Sequence, residues 1–202
     1  MRDHFKPRTL AEFIAWEADQ PTKHEFINGQ VVLYAGGTGA HSAIAAELII
    51  RIGTHIQRPC RVFTSDLQIE TAADAFYADV SVTCDERDLK DLTTSRVLRH
   101  PKLLIEVNSP TTRKVDFKEK RDAYLALPSL EEYVLIDSEY RSIEAYQRHK
   151  ETWFHTLPIC EGFFSFTSIG LSVVLDDIYP LELTAARPER KERKKTPSRR
   201  RH

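Results

Sequence analysis

The stretch Lys102-Leu103-Leu104-Ile105-Glu106-Val107-Asn108 decides how this chain reads. Leu103, Leu104, Ile105 and Val107 leave no polar face, which is the pattern of a strand covered on both sides. Glu106 interrupts it. A carboxylate in such a strand costs several kcal/mol unless donors or a cation meet it. The alternative is a glutamate at the strand's end, reaching solvent beside Asn108. On this segment alone both readings stand.

Working outward, a helix is expected from about Asp116 to Leu127, with Phe117, Ala123, Tyr124 and Leu127 as its apolar stripe. Lys120 falls inside that stripe, three residues after Phe117 and four before Tyr124. A lysine there either snorkels out or meets a carboxylate. Beyond the helix, Glu132–Asp137 reads as another strand. Upstream, strands are expected at about Arg61–Glu70 and Phe76–Cys84. In the second, alternation sets Val80 and Val82 on one face and Asp79 and Ser81 on the other. Asp79 is by itself an ordinary polar-face residue. A long helix from about His41 to Gln57 precedes them, with Ile44, Leu48, Ile52 and Ile56 recurring every fourth position.

The order helix, three strands, helix, strand suits a mixed sheet with helices on its faces, an α/β (α+β) architecture. Thr9 and Glu12 form a capping box that opens a short helix to about Trp16. Asn28-Gly29 predicts a type I′ hairpin between His24–Ile27 and Gln30–Tyr34. Further strands are expected near Ser142–Arg148, Thr152–Leu157 and Leu171–Leu175. The N- and C-terminal hairpins would extend the sheet or cover its edges.

Asp79, Glu106 and Lys120 together suggest chemistry. Two carboxylates on neighbouring strands can hold a hard divalent cation through oxygen. A lysine beside them can orient water or stabilise charge on a phosphate. Metal-assisted phosphodiester hydrolysis needs such a set.

The chain also resembles the Uma-type family of restriction-endonuclease-like domains, within the PD-(D/E)XK nuclease superfamily. The matches run in order from about Leu10 to Leu183: Glu25-Phe26-Ile27-Asn28-Gly29, His41, Ala78-Asp79-Val80, Leu104 through Thr112, Asp116 through Lys120 to Tyr124, Glu132-Tyr133 and Asp137. The most specific are Glu106-Val107-Asn108-Ser109-Pro110-Thr111-Thr112 and the Asp116, Lys120, Tyr124 spacing. The resemblance implies a Mg²⁺- or Mn²⁺-dependent DNA endonuclease in which Asp79 and Glu106 bind metal and the Val107 carbonyl adds a third donor. Glu25 would be an auxiliary carboxylate and His41 an active-site residue. Two departures matter. Ala78 stands where the superfamily name has proline. Asn108 stands where it has lysine, and Lys120 on the following helix is the natural replacement. Restriction-type enzymes often act as homodimers, so a homodimer is one expected assembly.

Composition bounds these readings. At 41% hydrophobic and 29% charged residues the chain is an ordinary globular one, and 202 residues suffice for one core. No apolar run is long enough to cross a bilayer, and the N-terminus has no apolar signal core, so a soluble cytoplasmic protein is expected. Cys60, Cys84 and Cys160, odd in number and lacking a CxxC pair, argue against both a zinc site and a disulfide framework. Net charge is −1 but uneven. Arg187–His202 carries nine basic against two acidic residues, leaving twenty basic against twenty-eight acidic elsewhere. Residues 1–183 are therefore expected to form one domain and 184–202 a disordered basic tail, either a loose contact for nucleic acid or a solvated terminus. The Gly36-Gly37-Thr38-Gly39 segment lacks the Gly-Lys-Ser/Thr of a P-loop and is expected to be a loop over the site. The competing functions are a non-catalytic nucleic-acid-binding module on the same fold and, more remotely, a structural protein of a mobile element.

Overall fold

The computed structural model describes residues 6–108 and 116–179, with Asp116 and Phe117 as backbone only. The Ser109–Thr112 part of the motif, the Phe117 side chain and the basic segment from Arg187 lie outside the described residues.

Local signals set the first elements. Thr9 accepts from the Glu12 amide while Glu12 reaches back to the Thr9 amide, and this box opens α1 (Leu10–Glu17). β1 (His24–Ile27) and β2 (Gln30–Leu33) pair across Asn28 and Gly29, whose φ angles of 51° and 77° are those of the expected turn. Thr38 caps α2 (Gly39–His55) by accepting from the His41 amide. The chain continues through β3 (Arg61–Thr64), β4 (Gln68–Glu70), β5 (Ala75–Tyr77), β6 (Val80–Thr83), α3 (Glu86–Leu89), β7 (Val97–Leu98), β8 (Leu103–Asn108) and α4 (Asp116–Leu125). It ends with β9 (Glu132–Asp137), β10 (Ile143–His149), β11 (Thr152–His155), β12 (Phe163–Phe166), β13 (Leu171–Val174) and α5 (Leu175–Ile178).

Six strands form the main sheet in the order β11-β10-β9-β8-β6-β3, with β8 and β9 parallel and the other neighbours antiparallel. Its central path, α2, β3, β6, β8, α4, β9, is the expected α-β-β-β-α-β order. A second, five-stranded sheet runs β2-β1-β5-β4-β7, and β12 and β13 form a two-stranded sheet among the described residues. The C-terminal hairpin β10–β11 extends the main sheet, whereas the N-terminal hairpin β1–β2 joins the second one.

Two segments that read as single strands each divide between the sheets. Arg61–Glu70 turns at Ser65-Asp66-Leu67, where the Thr64 hydroxyl donates to Asp66. The other passes from β5 in one sheet to β6 in the other across Ala78-Asp79. Alternation reports which face a residue takes, not which sheet its backbone joins.

The main sheet is covered on both faces. Ile44, Leu48 and Ile52 of α2 pack on Val80, Val82, Leu103, Ile105, Val107, Val134 and Ile136. Tyr124 of α4 and Leu127 just beyond it cover Leu104, Tyr133 and Leu135 on the other face. Full burial of each such apolar side chain contributes roughly 1.5–3 kcal/mol. Glu106, in step with Leu104, faces α4.

The cysteine expectation is corrected. Cys60 and Cys84 form a disulfide, and Cys160 is free. The antiparallel register pairs Arg61 with Thr83, so the residues just outside that pair stand opposite each other. A separation of 24 residues hides this in the sequence. Among the described residues no helix is long and apolar enough to cross a membrane.

Candidate active site

The β6–β8 register pairs Val80 with Ile105. One step further along the antiparallel ladder, Asp79 comes opposite Glu106, and residues so opposed share a face. Both are buried, 6% and 5% exposed. Asp79 sits where the chain leaves one sheet for the other, so its surroundings lack a continuous ladder, and side chains fill the gaps. Asp79 Oδ2 accepts the Val107 amide at 2.7 Å. Glu25 Oε1, from β1, accepts the Tyr77 amide at 2.9 Å. The Tyr77 carbonyl accepts from Lys120 Nζ at 3.2 Å.

Lys120 does not snorkel. It is 7% exposed and its ammonium lies 2.7 Å from Glu25 Oε1 and 3.5 Å from Glu106 Oε1. Burial favours its neutral form, but Glu106 and Glu25 outweigh that and hold its pKa above the usual lysine range. Tyr124, one helical turn on, donates its hydroxyl to Glu106 Oε1 at 3.2 Å. His41, in the first turn of α2, places Nε2 3.1 Å from Asp79 Oδ1. That contact is the main reason its pKa is raised, with a smaller contribution from the Val107 backbone. Tyr34, just past β2, donates to the same Asp79 oxygen at 3.2 Å.

Three carboxylates thus share a space with one lysine and one histidine. The imbalance falls on Glu106. Burial raises its pKa, Lys120 pulls it down, Asp79 and Glu25 push it up again, and it comes to rest at about 8.

All five side chains singled out in the sequence, Glu25, Asp79, Glu106, Lys120 and His41, meet in this cluster. Sequence reasoning missed the hydroxyls of Tyr34 and Tyr124 and the tight seat of His41 under Gly37. Tyr124 could have been found from its place one turn after Lys120. Tyr34 carried no signal, because its partner is 45 residues away.

The donor set suits a hard divalent cation. Asp79 and Glu106 offer carboxylate oxygens on one face, and Asp79 Oδ1 already meets the His41 imidazole at 3.1 Å. All the donors are oxygens, as Mg²⁺ and Mn²⁺ prefer. Among the described residues no three His, Cys, Asp or Glu side chains stand in a metal-holding group, so an ion held here would need backbone or water oxygen beside Asp79 and Glu106.

A family model described as "Uma2: Putative restriction endonuclease" matches residues 10–161. The chain belongs to the Uma2 family. Two Synechocystis proteins are similar to this Uma2 chain: the uncharacterized protein slr1290, 34% identical over 83% of this chain and 89% of its own length, and the uncharacterized protein sll1609, 31% identical over 69% and 80%. A crystal structure from Anabaena variabilis ATCC 29413, described as "a putative nuclease belonging to DUF820", superposes with a TM-score of 0.69. It shares 21% identity and covers 85% of the Uma2 chain and 97% of its own, which places the two in one fold.

Proposed function

We propose that this Uma2 protein is a metal-dependent endonuclease that hydrolyses DNA phosphodiester bonds. The observation that carries the reading is the opposed, buried pair Asp79 and Glu106 with the ammonium of Lys120 3.5 Å from Glu106. Asp79, Glu106 and the Val107 carbonyl would hold Mg²⁺ or Mn²⁺. Such an ion supplies charge that makes water a better nucleophile and offsets negative charge gathering on the phosphate.

The chain's own residues do the rest. Lys120 points its donors at the developing phosphoryl charge, and Glu25 keeps it from collapsing onto Glu106. Tyr124 fixes the Glu106 carboxylate by its hydroxyl. His41 and Tyr34 hold Asp79 Oδ1, and the Val107 amide holds Oδ2. Lys120 takes the place of the lysine absent at Asn108, since α4 brings its ammonium to 3.5 Å from Glu106. The basic segment from Arg187 would add a sequence-independent attraction for DNA around the otherwise acidic single domain 1–183.

The test is incubation of the pure protein with plasmid, linear and single-stranded DNA, with Mg²⁺, Mn²⁺ or EDTA, beside Asp79→Ala. Cleavage that needs the metal and Asp79 supports the reading. Binding without cleavage under every metal condition replaces it with a non-catalytic module.

A further inference from the structure

A cavity of about 640 Å³ opens beside the carboxylate cluster. Its walls include Lys23, Tyr34, Gly36, Gly37, His41 and Ser42. It shares a wall with the site, since Tyr34 and His41 both contact Asp79 Oδ1 and both line the cavity. A group seated there is one side chain away from Asp79.

Charge separates this cavity from the cluster. Glu25, Asp79 and Glu106 crowd the site with Lys120 buried among them. None of the described residues lining the cavity carries a carboxylate, and Lys23 is its cation. The Lys23 ammonium is 2.5 Å from Asp66 Oδ1 and 2.8 Å from the Ser65 carbonyl. The Asp66 side chain is 76% exposed, so the pair is weakly held and a phosphate can compete for the lysine. The Tyr34 ring and the exposed Leu33 give an apolar wall. At Gly36 a Cβ would meet no atom within 4 Å, so its side of the cavity is open.

We propose that this cavity seats the nucleotide next to the scissile phosphodiester of a DNA strand, with its phosphate on Lys23 and its sugar and base against Tyr34 and the Gly36-Gly37 backbone. The proposal rests on the endonuclease reading and names where the substrate strand lies.

The test measures binding of the 5′-phosphorylated dinucleotide pdTpdT to the full chain by calorimetry in Mg²⁺, for the wild type, Gly36→Leu and Lys23→Ala. Gly36→Leu fills open space, so its melting temperature should match wild type while its affinity falls tenfold or more. Lys23→Ala should bind about fivefold more weakly, with a shallower salt dependence because one phosphate contact is lost. Wild-type affinity in both variants, or no binding to the wild type, overturns the subsite. Cleavage is read separately. A protein that binds through Gly36 and Lys23 but never cuts DNA keeps a nucleotide seat beside Asp79 and ends the enzyme reading and the scissile-bond placement with it. One that cuts DNA with both variants binding like wild type keeps the enzyme and ends the subsite.

Discussion

Glu106 and Glu132 lie on adjacent parallel strands, both buried, and they are held in opposite ways. Glu132 is saturated by neutral donors. Oε1 accepts from the Gln147 amide and from the Thr167 backbone and hydroxyl, and Oε2 accepts from the Ser168 backbone and hydroxyl. It ties β9 to β10 and to the turn after β12. Among the described residues, both donors to Glu106, Tyr124 and the more distant Lys120, reach Oε1. A saturated carboxylate has no lone pair left for a cation and serves the fold. A carboxylate short of donors, crowded by two others, retains the capacity to bind one. The difference predicts which glutamate costs stability and which costs activity.

The largest effect is expected at the open cluster. Asp79→Ala and Glu106→Gln should each lower cleavage by a factor on the order of 10³, about 4 kcal/mol of transition-state stabilisation, while the protein stays folded. Glu106→Gln also tests the electrostatics. With the Glu106 pKa at about 8, the folded protein keeps a proton that the unfolded chain releases above its ordinary carboxyl pKa. Without metal, stability should therefore fall as pH rises from about 4.5 to about 8 and level off beyond. Urea unfolding at pH 5, 6.5 and 8 should show this slope in the wild type and a flatter one in Glu106→Gln. Equal slopes would mean that the crowding is relieved elsewhere. Mg²⁺ or Mn²⁺ at millimolar concentration should raise the wild-type melting temperature and leave that of Asp79→Ala unmoved.

Glu132→Ala tests the other half of the comparison. It strands the Thr167 and Ser168 donors and should cost roughly 3 kcal/mol of stability. Activity per folded molecule should stay at the wild-type level at a temperature where the variant is still folded. A specific activity lowered as much as in Glu106→Gln would erase the distinction between the two glutamates.

The sequence carried most of this site because its oddities were local. Glu106 broke an apolar run and Lys120 broke an apolar stripe, and the two anomalies explain each other at 3.5 Å. The α-β-β-β-α-β order was legible for the same reason, since each element has its own periodicity. What stayed hidden depended on long-range register. The division of Arg61–Glu70 and Phe76–Cys84 between two sheets is set by which strand each segment pairs with. The Cys60–Cys84 disulfide follows from the Arg61–Thr83 pairing. The role of Glu132 was invisible because its donors at Thr167 and Ser168 are 35 and 36 residues away.

Lys120 is where the two holding modes touch, because it is the cation that stands in for missing neutral donors. Lys120→Met should lower cleavage by about 10²-fold, equivalent to ~2.7 kcal/mol. It should also destabilise the metal-free protein at neutral pH, since Glu25 loses its partner at 2.7 Å. Lys120→Arg should restore stability better than rate, because a planar fork sets its donors at different angles. Wild-type cleavage in Lys120→Met, measured where Asp79→Ala is inactive, would leave Lys120 a neutralising cation without a part in the reaction.

The smallest effect is expected one layer out, at Gly37. A Cβ there would stand 2.3 Å from His41 Cγ, closer than any real contact. The ring cannot simply swing aside. His41 is in the first turn of α2, where the Thr38 cap fixes its backbone, and Asp79 holds its outer edge at 3.1 Å. Gly37→Ala must therefore move either the loop or the ring. Movement of the ring takes a donor from Asp79 Oδ1 and lets the carboxylate rotate. We expect cleavage to fall about tenfold, ~1.4 kcal/mol, with the melting temperature nearly unchanged because Gly37 is exposed. The imidazole pKa, followed by NMR, should drop toward the ordinary histidine value as the Asp79 hydrogen bond weakens. A double-mutant cycle separates the two ways of yielding. If the ring is what moves, Gly37→Ala should have no further effect in a His41→Ala background, where no ring is left to displace. An equal loss in both backgrounds would show that the loop acts without His41, and the histidine would then be a bystander to the carboxylate it touches.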